Sequence, residues 1–329
     1  MTIYRSVTKK IVLVFLVCFV EVLVIGLLLT HRRRPLSVTP LQKHTLQYSV
    51  SPSFALRHYY GLQANTVQED DMSILGMTGT ASHTINADGL AGEQEYAVIK
   101  PEKTFRIISM GDSFTQGAFV GTKYNYSTIL ESLLNERMSC SDIDHFEVIN
   151  LGVSGYDMQY SVERFKDKGM KYTPDLILFW ILDNDFLSNN EKYSDLFEQW
   201  DPLIEAPAAV EQKRKEGDFY PEANVVFDRF HTIYTDEELI SEEMVYFREF
   251  LALSDTPIVM FTIQGFPSTI KKRIQEAIMI KSNVRFYTEI PDSYAKLPDS
   301  HPSIEGHRQY AEYLFQKIKT VFLRACTER

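Results

Sequence analysis

The chain has 329 residues, of which 44% are hydrophobic and 24% charged, and a formal net charge of −10. These values are ordinary for a globular protein that buries a full single-domain core and has length left for extensions. A face that binds nucleic-acid phosphates normally needs a basic excess, so the acidic balance excludes a nucleic-acid partner from our expectations.

The N-terminal segment predicts a membrane anchor. Residues 1–10 form a short basic tail, and Glu21 is the only charged residue within the apolar stretch 11–30. A run of about 20 apolar residues is long enough to cross a bilayer as a helix, and Arg32–Arg34 close it on the far side. A cleaved signal peptide is the alternative, but its apolar core is usually only about 7 to 15 residues long.

The compartment of the large domain bears on the cysteines and on one sequon. Basic residues flank the apolar stretch on both sides, so they do not set its orientation; we expect the tail inside and the large domain outside the cytoplasm. Cys140 and Cys326 can pair in an oxidising compartment. Nothing in the sequence brings these two cysteines together, so free thiols are the default expectation. The sequon Asn125–Ser127 is usable only in a glycosylating secretory pathway.

Residues 31–103 are predicted to be a connector and an irregular N-terminal extension. From residue 104 onward, apolar strands alternate with helical segments, a rhythm that predicts βαβ units and a parallel sheet. The third strand is apolar throughout, as expected for a strand covered by helices on both faces. The predicted strands are Phe105–Met110, Phe146–Leu151, Leu176–Ile181, Pro257–Ile263 and Val284–Tyr287. The predicted helices are Tyr126–Met138, Met158–Lys168, Asp236–Leu253, Thr269–Ile280 and Ser303–Cys326.

One stretch, residues 189–235, does not fit this rhythm. It is charged and contains Trp200, several tyrosines and several prolines. Long irregular segments of compact domains are often functional lids. We predict a cap over the carboxyl edge of the sheet with a role in selectivity, and a plain surface insertion is the alternative.

Four short polar blocks follow the predicted strands or precede the last helix. Open α/β sheets place their chemistry at the carboxyl ends of their strands, which is where the first three blocks lie. The blocks are Gly111–Thr115 (G-D-S-F-T), Asn150–Tyr156 (N-L-G-V-S-G-Y), Leu182–Asp185 (L-D-N-D) and Asp299–Pro302 (D-S-H-P). A serine in the first block matters only if the other blocks supply a base and an oxyanion site.

Together the blocks supply that set. Ser113 is the candidate nucleophile, and His301 is the base that takes its proton and returns it to the leaving group. Asp299 is the acid that orients the imidazole. The backbone N–H groups of Ser113 and Gly155 and the side-chain amide of Asn184 are candidate oxyanion donors. This chemistry needs no metal and no organic cofactor, and no cysteine–histidine spacing predicts zinc.

Two of these assignments have alternatives. Gly152 competes with Gly155 for the oxyanion role, and Asp292 is a weaker candidate than Asp299 for the acid. Each block residue also has a plainer interpretation as a turn or capping residue. Structural roles are predicted for three neighbours: Asp112, Asp185 and His307.

The four blocks, in this order and on these elements, resemble those of the SGNH, or GDSL, hydrolase superfamily over roughly residues 104–325. By position, the resemblance implies Ser113 as the catalytic serine, Gly155 and Asn184 as oxyanion donors, and His301 with Asp299 as base and acid. It also implies a flavodoxin-like three-layer sandwich around a central parallel sheet. Many members have the acid three residues before the histidine; here it lies two before, a spacing that resembles polysaccharide O-acetyltransferases among other branches.

We therefore expect residues 104–329 to form the catalytic domain of a membrane-anchored serine esterase that works through an acyl-Ser113 intermediate. Its expected substrate is a small-molecule, lipid or glycan ester. O-acyl transfer to or from cell-surface glycans is the alternative, and a non-catalytic glycan-binding protein is a third hypothesis. No feature of the sequence sets the oligomeric state.

Overall fold

A computed structural model describes residues 48–49, 56–290, 294–323 and 326–328. The strands in these ranges are β1 (Tyr48–Ser49), β2 (Gly61–Leu62), β3 (Thr66–Asp71), β4 (Thr80–Ile85), β5 (Thr104–Met110), β6 (Met138–Ser139), β7 (His145–Asn150), β8 (Leu176–Trp180), β9 (Ile258–Ile263), β10 (Val284–Ile290) and β11 (Thr327–Glu328). The α-helices are α1 (Ser113–Gln116), α2 (Tyr126–Arg137), α3 (Met158–Arg164), α4 (Asn184–Leu187), α5 (Asn190–Gln199), α6 (Pro202–Glu205), α7 (Pro207–Lys215), α8 (Pro221–Ile233), α9 (Asp236–Leu253), α10 (Ser268–Ile278) and α11 (Ile304–Val321).

The centre of the fold is a parallel sheet of five strands in the order β10-β9-β8-β5-β7. Ile108 of β5 is in register with Ile149 of β7 on one side and with Ile177 of β8 on the other. Counted along the chain and read from β7, the strand order is 2-1-3-4-5, which is that of flavodoxin-like sheets. The predicted α/β class with a central parallel sheet is confirmed.

Successive side chains of the sheet enter two separate apolar cores. In β8, Leu176, Leu178 and Trp180 enter the core that contains α2 and α11. Ile177 and Phe179 enter the core that contains α3, α9 and α10. Helices therefore cover both faces of the sheet, and this is why β8 is apolar at every position.

The N-terminal extension packs against the loop that follows β7. Tyr59 and Leu62 form one buried cluster with Val153, Tyr156 and Tyr160. Farther along the extension, β3 and β4 pair as an antiparallel hairpin. The extension thus borders the second polar block, although the sequence pattern of the extension itself gives no sign of this.

The predicted insertion, residues 189–235, consists of the helices α5 to α8. Pro202, Pro207 and Pro221 occupy the first turns of α6, α7 and α8. Proline is tolerated there because the first N–H groups of a helix have no partner within the helix. The prolines that break the sequence rhythm therefore begin helices, and this stretch is mostly helical although its sequence looks irregular.

The C-terminus corrects two expectations. The last helix ends at Val321 instead of continuing to Cys326, and β11 then pairs with β6 in antiparallel fashion. This pairing brings Cys140 and Cys326 to a Cα–Cα distance of 4.3 Å, and they form a disulfide. The expectation of free thiols is wrong because the contact joins residues 186 positions apart in the sequence, which no local pattern records.

The sequon asparagine is a helix cap. Asn125 is fully buried, and its Oδ1 accepts a hydrogen bond of 2.9 Å from Thr128 N at the start of α2. A buried side chain of this kind leaves no space for a glycan in the folded protein.

The predicted anchor, residues 11–30, lies outside the described residues. Among the residues that are described, no helix is both long and apolar enough to cross a lipid bilayer.

Candidate active site

The nucleophile loop turns sharply between β5 and α1. Gly111 has φ +145°, and a Cβ at this position would lie 2.3 Å from Thr115 Oγ1, so only glycine fits. Asp112 caps α1, since its Oδ1 accepts a hydrogen bond of 3.0 Å from Phe114 N. The turn places Ser113, which is partly exposed, at the first residue of the helix.

Three of the predicted site residues form one chain of hydrogen bonds. His301 Nε2 lies 2.9 Å from Ser113 Oγ, and His301 Nδ1 lies 2.7 Å from Asp299 Oδ2. Asp299 Oδ1 also accepts a hydrogen bond of 3.2 Å from the backbone N–H of His301. Ser300, between them, has φ +76°, a left-handed turn that accompanies the short acid–base spacing.

The acid is buried and ionised. The Asp299 side chain is only 2% exposed, whereas that of His301 is 16% exposed. Burial raises the pKa of Asp299, but hydrogen bonds from His301 and Tyr220 outweigh burial and the net shift is downward. An ionised Asp299 accepts the proton on Nδ1, so we assign His301 the tautomer whose Nε2 can accept the Ser113 proton.

The oxyanion candidates lie where the strand order of the sheet reverses. α1 follows β5 and α4 follows the adjacent strand β8, so Ser113 and Asn184 lie on the two sides of this switch point. Asn184 Nδ2 is 3.4 Å from Asp112 Oδ2, a long and weak contact. Among the described residues, the backbone N–H groups of Ser113 and Gly155 have no hydrogen-bond acceptor. Both are therefore available to a ligand.

Gly152 and Gly155, the two candidate oxyanion donors of the second block, differ in whether the backbone N–H is already used. The Gly152 N–H already donates to Asn150 Oδ1 at 2.8 Å. Gly155 is exposed, with φ +81°. The geometry therefore favours Gly155 over Gly152 as a donor to a bound oxyanion.

Three side chains that the sequence analysis missed hold the second block in place. Gln116 Oε1 accepts a hydrogen bond of 2.6 Å from Ser154 N, and the Tyr60 hydroxyl donates to Ser154 O at 2.9 Å. Asn190 Nδ2 donates to Gly155 O at 2.7 Å. These residues come from α1, from the extension and from the start of the insertion, and no motif marks any of them.

A fourth missed residue contacts the acid. The hydroxyl of Tyr220, which immediately precedes α8, donates to Asp299 Oδ2 at 2.9 Å. Burial and the charge of Asp299 raise the pKa of Tyr220, so the phenol remains a protonated donor. The insertion therefore reaches the candidate triad through Tyr220; its predicted role in selectivity stays a prediction.

Two phenylalanine rings flank the imidazole. The ring centroids of Phe114 and Phe119 lie 5.1 Å and 5.8 Å from that of His301. Phe119 has φ +61°, and its N–H donates to Asp70 Oδ2 at 2.7 Å. The same Asp70 oxygen lies 2.9 Å from His83 Nε2, so the β3–β4 hairpin supports this wall of the site.

The residues predicted to be structural do contact the backbone. Asp185 Oδ2 accepts a hydrogen bond of 2.7 Å from Leu182 N and so closes the third block. Burial raises the pKa of both Asp185 and Asp112. His307 is buried and its Nδ1 accepts a hydrogen bond of 3.1 Å from Tyr126 N; burial lowers the pKa of His307 to about 3. Asp292, the alternative acid, lies outside the described residues.

One cluster in the described part of the chain has metal-ligand composition. It comprises His58, Asp195 and Glu198. Arg57 already pairs with both carboxylates, with N–O distances of 2.8 Å to Asp195 and 2.6 Å to Glu198. Because the guanidinium supplies the positive charge, the cluster is better described as an ion-pair network between the extension and α5.

Comparison with protein families gives one assignment. The family described as GDSL-like lipase/acylhydrolase matches residues 107–314, a range that contains all four polar blocks. A search of curated proteins gives no significant match.

Several solved structures are similar to the chain at low identity. A family two carbohydrate esterase from Clostridium thermocellum, solved with cellohexaose, is 16% identical over 69% of this chain and 67% of that chain, with a TM-score of 0.36. A putative lipolytic protein of the G-D-S-L family from Desulfitobacterium hafniense is 14% identical over 64% of this chain and 98% of its own, with a TM-score of 0.38. An acetylxylan esterase from Geobacillus stearothermophilus is 15% identical over 68% of this chain and 96% of its own, with a TM-score of 0.37. Likenesses at this level carry no argument about substrate.

Proposed function

The chain belongs to the GDSL-like lipase/acylhydrolase family and is an ester-hydrolysing enzyme, and we propose that it works through a covalent acyl intermediate on Ser113. One observation carries the proposal. Asp299, His301 and Ser113 form a continuous chain of hydrogen bonds with distances of 2.7 Å and 2.9 Å. A nucleophile, a base and an orienting acid in this arrangement are the requirements of acyl transfer through serine.

In the first step, His301 Nε2 takes the hydroxyl proton while Ser113 Oγ attacks the carbonyl carbon of the ester. The carbonyl oxygen gains negative charge, which the N–H groups of Ser113 and Gly155 and the amide of Asn184 stabilise. The bond to the alcohol then breaks, and His301 gives its proton to the departing oxygen. Asp299 stays ionised throughout and stabilises the imidazolium.

In the second step, water replaces the alcohol. His301 takes a proton from water as its oxygen attacks the acyl carbon, and the same oxyanion donors act again. The bond to Ser113 Oγ breaks, the proton returns to this oxygen, and a carboxylic acid leaves. The Ser113 hydroxyl and the neutral His301 imidazole are thereby restored, and one water molecule has been consumed.

We also propose that residues 11–30 anchor the protein in a membrane and that the catalytic domain lies outside the cytoplasm. The apolar sequence of this stretch supports the anchor. The Cys140–Cys326 disulfide supports the location, because disulfides persist mainly in oxidising compartments. The protein should remain in membranes washed with alkaline carbonate, and alkylation without a reductant should leave both cysteines unlabelled. Release by carbonate would rule out the anchor, and alkylated cysteines would remove the support for this location.

A catalytic domain outside the cytoplasm would also meet cell-surface glycans, so O-acyl transfer is the second candidate function. A sugar hydroxyl that replaces water in the second step would receive the acyl group from the same intermediate. The two functions differ in the fate of the acyl group: free acid in one case, an acylated glycan in the other. Product analysis with p-nitrophenyl acetate, with and without an acceptor oligosaccharide, separates them.

The proposed function is tested with purified full-length protein and p-nitrophenyl acetate. Ser113→Ala should reduce kcat by about 10⁴-fold or more, because the nucleophile is lost. Ser132→Ala, which removes an exposed hydroxyl from α2, should leave kcat unchanged. Equal turnover by Ser113→Ala and the wild type would exclude the serine mechanism. If the folded protein binds a glycan but does not turn over the ester, the non-catalytic alternative would be favoured.

A further inference from the structure

The hydroxyl of Tyr220 and the imidazole of His301 share one oxygen of the acid. Asp299 Oδ2 accepts from Tyr220 at 2.9 Å and lies 2.7 Å from His301 Nδ1. Tyr220 belongs to none of the four polar blocks and lies in the insertion, between α7 and α8. Tyr220 is therefore a fourth residue that is connected to the candidate triad by a hydrogen bond.

Local contacts fix the position of Tyr220. Asp218 Oδ1 accepts hydrogen bonds of 2.8 Å from Tyr220 N and 2.7 Å from Asn224 Nδ2. The neighbouring residue, Phe219, packs in the same apolar cluster as Leu297 and Phe119. Both the backbone and the flanking side chain thus hold the phenol toward Asp299.

We propose that Tyr220 is a positioning residue that orients Asp299 and limits how strongly this carboxylate holds the proton on His301. The inference rests on the proposed function, because it assigns His301 as the base. The Asp299 carboxylate is almost fully buried, so a donor to its charged form is worth more than it would be in water. By sharing the negative charge of Oδ2, the phenol weakens the attraction of Asp299 for an imidazolium.

Other titratable groups also act on this pair. Asp112, on the nucleophile loop, and His307, on α11, both interact electrostatically with His301. Asp70 acts on Tyr220 and is itself bound to His83. Removing only the phenol oxygen leaves all of these groups in place, so a change in pH dependence can be assigned to that oxygen.

The test is the pH profile of kcat/KM for p-nitrophenyl acetate with the Tyr220→Phe variant of the full-length protein. Without the phenol, Asp299 carries more charge on Oδ2 and favours the protonated imidazole, so the base becomes available only at higher pH. The midpoint of the acidic limb should move up by about 0.5 to 1 pH unit, which corresponds to one hydrogen bond. The plateau should fall by about 3- to 10-fold, because the carboxylate is less well oriented.

Tyr193→Phe is the matched control. Tyr193 lies in α5 of the same insertion, and its hydroxyl donates to Ala223 O at 3.2 Å, so the same atom is removed away from the triad. Its acidic limb should coincide with that of the wild type. A purely structural role of Tyr220 would lower the whole profile without moving the limb.

Three outcomes would overturn the inference: an unmoved limb in Tyr220→Phe, a downward shift, or an equal shift in Tyr193→Phe. If part of the variant is unfolded, the pH dependence of fluorophosphonate labelling gives the same limb, since only folded sites react. Failure of the proposed function itself is distinguishable, because it would appear in the wild type as absent turnover and absent labelling of Ser113.

Discussion

The Tyr60 hydroxyl donates a hydrogen bond to the Ser154 carbonyl oxygen 2.9 Å away. This carbonyl and the Gly155 N–H belong to one planar peptide unit, so the hydrogen bond sets the direction in which the N–H points. Tyr60 is itself held by edge-on contacts with Tyr156 and Tyr160, with ring centroids 5.3 Å and 5.7 Å away. The proposed oxyanion donor is thus oriented by the N-terminal extension.

Removal of this hydroxyl should affect turnover. Tyr60→Phe should lower kcat by about 10-fold, less than the 10²- to 10³-fold typical of losing an oxyanion donor outright, because the N–H is still present. KM should change little, since the donor acts mainly in the transition state. Steady-state kinetics with p-nitrophenyl acetate measures both. A rise in KM with kcat preserved would contradict the assignment.

Substitution of Gly155 should be far more costly. Gly155 has φ +81°, and an added Cβ would lie 2.9 Å from the Tyr60 hydroxyl. Gly155→Ala should therefore displace the peptide and lower kcat by about 10²- to 10³-fold. Gly265→Ala is the control, because Gly265 has φ +93° with nothing near its Cβ position. Both variants should lose stability from backbone strain, and equal kcat values in the two would argue against an oxyanion role for Gly155.

Neutralising the acid tests the assigned tautomer. Asp299→Asn keeps the shape of the side chain but favours the wrong proton position on His301, so kcat should fall by about 10⁴-fold. The folded structure should persist, as judged by thermal denaturation. Asp255→Asn, at an exposed position, is the control and should retain full activity. A loss of less than about 10-fold in Asp299→Asn would point to another acid.

The buried carboxyl group of Asp157, which directly follows the second block, predicts that the free energy of unfolding depends on pH. Burial raises the pKa of Asp157 to about 7. Its two oxygens accept hydrogen bonds of 2.8 Å from Tyr160 N and 2.6 Å from Asn190 N. The carboxyl of an unfolded chain titrates near pH 3.9, so between about pH 4 and 7 the folded state holds a proton that the unfolded state lacks. This contribution to stability is complete below pH 4 and is lost as the pH rises through about 7.

The free energy of unfolding in urea should therefore be lower at pH 7.5 than at pH 5. Asp157→Asn should make this difference smaller, because the variant has no proton to lose at that position. Burial also raises the pKa of Glu243, so part of the difference should remain. The same difference in the variant and the wild type would show that Asp157 does not titrate in this range.

Features with local causes were predictable from the sequence. The strands of the central sheet carry continuous or alternating apolar residues, and β8 is apolar because Leu176 and Ile177 enter cores on opposite faces. The position of Ser113 in the first block could be predicted because a strand that stops at Gly111 requires a sharp turn there. Each of these signals lies within a few adjacent residues.

Features made by distant contacts were not predictable. Tyr60 and Tyr220 are ordinary tyrosines until the fold places them beside Ser154 and Asp299, 94 and 79 positions away. The Cys140–Cys326 disulfide depends in the same way on the pairing of β6 with β11. In the insertion, the prolines led us to expect irregular structure. They instead stand at the starts of helices, where proline is favourable.

The central claim is that Ser113 is a nucleophile activated by His301, and site mapping of a covalent adduct tests it most directly. Folded full-length protein is treated with a fluorophosphonate and examined by peptide mass spectrometry. We predict a single adduct on the peptide that contains Ser113, which is lost when the protein is denatured first and strongly slowed in His301→Ala. An adduct on another residue, or an unlabelled Ser113 in protein that still hydrolyses the ester, would contradict the account.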